Sequence, residues 1–200
     1  MPTPDEATVR EILMKRDRGM RLRSALADAW SAFTSSYPDR AWWRRKSTRA
    51  GLVWEHAVKN AVAAFAEDDD ARPVPHHDTM SFVFDDLVLL RIKKASIELM
   101  SSNVQTFLAS LFHDHQEDLF GFSGYHRVEA AYVLNRLETQ MDWIGIVARE
   151  KKKKLFYFEL NDLASSAEML PFPEAPRKTG GDVAKLRKPP EPAEGKGSES

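Results

Sequence analysis

The chain contains no cysteine, which excludes disulfides, thiolate zinc sites, iron–sulfur clusters and a thiol nucleophile together. No run approaches the ~20 apolar residues needed to cross a bilayer. The first residues, MPTPDEATVREIL, lack the apolar centre of a signal peptide. A cytoplasmic protein without membrane contact is the expectation. Charge excess is missing too: 29 basic and 30 acidic side chains leave a formal −1, so attraction to a polyanion would need a local patch. There is no glycine-rich phosphate loop and no Gly-x-Ser-x-Gly elbow. No Ser, His and Asp residues stand in a recognisable catalytic arrangement, and no motif calls for a cofactor. The chain reads away from an enzyme.

The most apolar stretch is 80–96, MSFVFDDLVLLRIKKAS. Phe82, Val83, Phe84, Leu87, Val88, Leu89 and Leu90 put apolar side chains on both faces, as expected of one strand covered on both sides. Its basic end, Arg91-Ile92-Lys93-Lys94, points to a surface. Before it, Thr3-Pro4-Asp5-Glu6 reads as a helix start with Thr3 as the cap. The apolar phase then slips at Gly19-Met20-Arg21, predicting a kink or two short helices. A further helix is predicted over 48–67, and a solvated loop over 67–75 with its acids and prolines.

After the apolar stretch, Ser102 and Gln105 form a capping-box pattern. A stripe from Val104 to Phe112 predicts a helix to His113. Three strand-like runs follow, 127–134, 141–149 and 155–160, the last two joined by a four-lysine hairpin turn. Six of the eleven prolines fall from Pro171 onward, the composition of a disordered tail. The expectation is one α+β domain over residues 1–170, with a helical part (1–67) and a sheet part (80–160), followed by a tail (171–200). The sheet would be mainly antiparallel, of four or more strands, packed with the N-terminal helices and one central helix.

Three sets of residues could carry chemistry. His113 and Glu117 lie one helical turn apart, a spacing able to hold a metal ion. Asp85 and Asp86 with Arg91-Ile92-Lys93 approach the pattern of Mg²⁺-dependent nucleases, with Glu55 as a substitute acid. A cation stands at Arg91 where that pattern needs an acid. Arg91 and Lys93 share one strand face and, with Lys94, Asn103 and Thr106 near the helix start at Ser102, could bind an anion or a partner. Trp42, Trp43, Arg44 and Arg45, with Arg40, Lys46 and Arg49, form a second basic, aromatic cluster of the kind that grips phosphates and stacks bases. The plainer expectation for that cluster is pairing of its arginines with Asp68–Asp70 and packing of its tryptophans on helices.

The order LVLLRIKKAS, SSNVQT, AAYVLNRLETQMDWIGIVAR, LFYFEL resembles a family of uncharacterised bacterial and prophage proteins encoded beside helix-turn-helix regulators, sometimes with a metallopeptidase-like partner. The similarity spans 82–160, and its markers are Arg91, Lys93, Lys94, Asn103, Thr106, Tyr132, Leu134 and Thr139. It implies a toxin–antitoxin or phage-defence neighbourhood and no reaction. The function expected is a non-enzymatic interaction or regulatory protein with a protein partner or a second copy of itself. The alternative is a nucleic-acid-directed protein, binder or atypical nuclease, using the same basic residues.

Overall fold

The computed structural model describes residues 3–76, 79–101, 112–115 and 124–165. The chain divides into a unit Met1–Met169 and a second, Leu170–Ser200, outside the described residues. The first unit is α+β. Helix α1 (Glu6–Met14) is capped by Asp5, whose carboxylate accepts from Thr8 N at 2.8 Å and Thr8 Oγ1 at 2.7 Å. The start therefore lies two residues beyond the expected Thr3 cap, because an ionised Asp both caps and complements the helix dipole. A 3₁₀ turn, Lys15–Asp17, separates α1 from α2 (Arg18–Ser36). The break comes from Arg16 and Asp17 at φ 50° and 53°, not from Gly19, which lies inside α2. A side chain at Gly19 would strike Leu163 of α4 (Asn161–Ser165). Helix α3 (Lys46–Ala64) buries Val53, Ala57, Val58 and Ala61.

Six strands follow: β1 (Ala71–His76), β2 (Thr79–Phe84), β3 (Val88–Lys94), β4 (His126–Leu134), β5 (Met141–Glu150) and β6 (Lys153–Glu159). They form one sheet in chain order, antiparallel throughout except where β3 lies parallel to β4. Strand β1 occupies the segment expected to be a loop. It lies at the sheet edge, where its two prolines can leave their missing N–H groups on the unpaired side.

The stretch 80–96 is two strands rather than one. Asp85 and Asp86, at φ 51° and 50°, are the central residues of a hairpin turn in which Leu87 N donates to Phe84 O at 3.0 Å, and Phe84 pairs with Val88 across the loop. An Asp-Asp pair is tolerated there because each carboxylate is tied down. Asp85 meets Arg18 (2.6 Å) and Lys15 (2.8 Å), and Asp86 meets Arg72 (2.8 Å).

Alternation along the strands makes two sheet faces. Phe82, Phe84, Leu90, Ile92, Val128, Ala130, Tyr132 and Ile146 pack on α1, α2 and α3 through Leu13, Leu26, Phe33, Val53 and Ala61. Each large side chain buried this way contributes about 1.5–3 kcal/mol. The second face is apolar at its margins, with Val83, Leu89 and Phe112 on one side and Ala95, Ala131, Val133 and Val147 on the other. Between them it is charged.

Candidate anion-binding site

The charged centre of the second face lies on three adjacent strands. Register sets Ser81 beside Arg91, and Arg91 beside Glu129. Arg127 and Lys93 flank these two residues along their own strands, and Arg149 joins from β5. All but Lys93 are buried: Arg91 is 7% exposed, Arg127 2%, Glu129 1% and Arg149 8%. Charges are almost never placed so deep unless paired, so the pairing decides what the site can do.

Glu129 is the pivot. Ser101 Oγ donates to its Oε1 at 2.9 Å, and Arg149 Nε lies 3.4 Å from its Oε2, an ion pair outside hydrogen-bond geometry. Arg149 Nη2 donates to Ser101 Oγ at 2.6 Å and meets His113 Nε2 at 2.7 Å. The same Nε2 lies 3.3 Å from Glu129 Oε1. A guanidinium has only protons to give, so this nitrogen accepts from Arg149 where it carries no proton and donates to Glu129 where it carries one. Burial pushes the Glu129 carboxyl up. The His113 contact, the Arg149 charge and the Ser101 hydrogen bond outweigh it and hold the carboxyl below its ordinary range.

His115 Nε2 meets Arg149 O at 3.0 Å, and a carbonyl can only accept, so the Nε2 proton is on the ring. That leaves buried Nδ1 without a hydrogen bond among the described residues. Burial pushes His115 down, toward the neutral form.

Arg91 and Lys93 are less well served. Among the described residues Arg91 donates only to Ser81 Oγ, at 3.1 Å, and its guanidinium lies over the Phe112 ring at 4.3 Å. Burial pushes it down to about 10, opposed by Glu129 and reinforced by Arg127. It is still charged at neutral pH. Half-buried Lys93 is also pushed down, by burial and by the Arg91 and Arg149 charges, with Glu129 alone pulling it up. Among the described residues its ammonium has no hydrogen-bond or ion-pair partner. Among the described residues, four cations thus surround one carboxylate.

No known protein family, curated protein or solved structure matches the chain. The site therefore stands on its own geometry.

Of the residues singled out in the sequence, Arg91 and Lys93 come together on one face as strand alternation requires. Lys94 points to the helical side, where it meets Glu138 at 3.0 Å. Asn103, Thr106 and Glu117 lie outside the described residues, and the acid beside His113 is Glu129. Among the described residues no group of three or more His, Asp and Glu could hold a metal ion. Asp85 and Asp86 are locked in their turn, about 20 Å of strand from Lys93, and Glu55 is exposed on α3 across the sheet.

The Trp42–Arg45 cluster also lies on the helical side. Trp43 packs edge-on against Phe33 and Tyr37, whereas Trp42 is 85% exposed and Arg44 and Arg45 are exposed beside it. The Asp68 loop takes Arg16, Arg18 and Arg21 instead of these arginines.

Sequence reading missed Arg127, Glu129, Arg149 and Ser101. One signal was available: Arg127 and Glu129 are alternate residues in an otherwise apolar strand, so both enter one buried face.

Proposed function

We propose that this protein is a binding module, regulatory rather than catalytic, for a ligand that presents a terminal phosphate to Arg91 and Lys93. The observation that carries the reading is that, among the described residues, the Lys93 ammonium has no partner beside an Arg91 with most of its donors unused, in a cluster whose one described carboxylate is already engaged. A terminal phosphate brings about −1.5 to −2 of charge at neutral pH and accepts two parallel bonds from a guanidinium. An internal phosphodiester carries a single charge and needs a long exposed groove. Buried Arg91 and Arg127 do not make one.

The ligand is either a 5′-phosphorylated strand end or a free nucleotide, and binding measured by fluorescence anisotropy separates them. A 5′-phosphorylated oligonucleotide is expected to bind at least tenfold more tightly than its 5′-hydroxyl twin. Lys93→Met should abolish the difference without moving the melting temperature, because the ammonium contacts no described group. Full competition by a nucleoside monophosphate would identify a nucleotide site, and its failure a strand end. Equal binding of the two oligonucleotides, with no thermal shift from the nucleotide, would end the proposal. A salt dependence steeper than a few phosphates allow would move the contact to the exposed arginines.

A protein partner is a second reading, favoured by one observation: Trp42 is exposed on the surface with Arg44 and Arg45 beside it. Single exposed aromatics flanked by arginine are typical interface anchors. Co-expression with the products of adjacent genes is expected to yield a complex that Trp42→Ala dissociates. A lone monomer in each such preparation would count against this reading.

A further inference from the structure

A second site lies on the opposite side of the sheet, where α2, the 3₁₀ turn Pro38–Trp42 and α3 meet the β4–β5 loop. A cleft of about 260 Å³ opens there, walled by Trp30, Phe33, Val53 and Leu134 and charged at one end by Arg49, Lys94 and Glu138. The charged end is asymmetric. Glu138 alone receives Arg49 Nη2 at 2.8 Å, Lys94 Nζ at 3.0 Å and Lys46 Nζ at 3.9 Å. Arg49 Nε is buried without a hydrogen bond among the described residues.

Glu138 reaches this position from a strained backbone. Its φ is 52°, in the left-handed region that a residue with a long side chain enters only when its surroundings hold it there. The loop is braced by Asn135, which accepts from Thr139 N at 2.8 Å and donates to Thr139 Oγ1 at 2.7 Å. Its neighbour Leu137 lines the cleft yet is 79% exposed.

We infer that this cleft is a binding site for a small carboxylate with a one-ring apolar body, and that Glu138 is its built-in competitor. Glu138 places a carboxylate on Arg49 and Lys94 where a ligand's own carboxylate would sit, with the ring against the wall that Trp30 and Phe33 form by packing on each other at 5.7 Å. An apolar cavity of about 150 Å³ already admits benzene, so this volume has room for a ring and a short acidic arm. Few precisely placed charges on aromatic walls are the usual make-up of a small-molecule site. Entry of the ligand displaces Glu138 outward, with release of its strained conformation. This site shares no residue with the phosphate site and does not depend on it.

Phenylacetate is the probe and phenylacetamide its neutral twin, followed by the Trp30 indole N–H signal in NMR, assigned with Trp30→Phe. Wild-type protein is expected to bind phenylacetate at millimolar concentration and to ignore the amide. Glu138→Asn removes the competing charge and places a residue that accepts a positive φ. It should tighten phenylacetate binding at least tenfold. Arg49→Leu should abolish it. If phenylacetate leaves the Trp30 signal of the wild type unmoved, or moves it no more than the amide does, the inference falls whether or not the variants fold. It falls equally if folded Glu138→Asn binds no more tightly than wild type.

Discussion

Asp68→Ala is expected to destabilise the fold by about 3–5 kcal/mol, the cost of removing one member of a buried ion pair. Arg18 is 1% exposed and gives Asp68 a two-pronged contact, Nε at 2.7 Å and Nη2 at 3.0 Å. Asp68 also accepts from Arg16 at 2.8 Å. Without the carboxylate, the Arg18 charge remains buried and retains only Asp85, at 2.6 Å, and the Ile12 carbonyl. Arg18→Met should cost less, because Asp68 would keep Arg16 and Arg21, and Asp85 would keep Lys15. Urea midpoints in that order would support the network, and equal midpoints would contradict it. The pH dependence has a definite sign. The Arg18 hydrogen bond, against the opposing effect of burial, holds the Asp68 carboxyl below its ordinary value of 3.8. Its stabilisation is therefore full above that value and lost as pH falls through the lower, folded-state value. The gap between wild type and Asp68→Ala should be constant from neutral pH down to about 5 and close below 4.

The same network explains why the fold was legible in outline and its joints were not. Apolar alternation located β4, β5 and β6, and the 3.6-residue period located α3, because each buries one continuous face. The boundaries that failed are set by charges distant in sequence. The turn at Asp85-Asp86 splits an apolar run of seven residues because Arg18, Lys15 and Arg72 hold two carboxylates in a left-handed conformation. The break at Lys15–Asp17 depends on Arg16 reaching Asp68, fifty-two residues away. Strand β1 carries two prolines that only an edge position accommodates, and its position at the edge follows from the sheet order. The anion site was half legible for a related reason. Arg91 and Lys93 share a face by local alternation, whereas Glu129 comes beside them through a parallel pairing that no hairpin turn announces.

Glu129→Gln is the companion test on the second face, with an expected loss of about 3–5 kcal/mol, since four buried or half-buried cations would lose the one counter-charge they have among the described residues. The carboxyl is held below its ordinary value, so this stabilisation too is full above the ordinary range and disappears as pH falls through the folded-state value. What distinguishes this loss from that of Asp68→Ala is how it can be repaired. If the cluster binds phosphate, inorganic phosphate should restore Glu129→Gln by about 2.7 kcal/mol at a hundredfold excess over its dissociation constant. Phosphate also stabilises proteins generally, by exclusion from their surface, and Asp68→Ala measures that contribution because its unpaired arginine is already shared with Asp85. Sodium chloride at matched ionic strength measures screening. A phosphate gain confined to Glu129→Gln, and abolished by adding Lys93→Met, would mark Arg91 and Lys93 as the phosphate ligands. Equal gains in the two single variants would show that the cations of this face are held for the fold alone, with Glu129 as their anion.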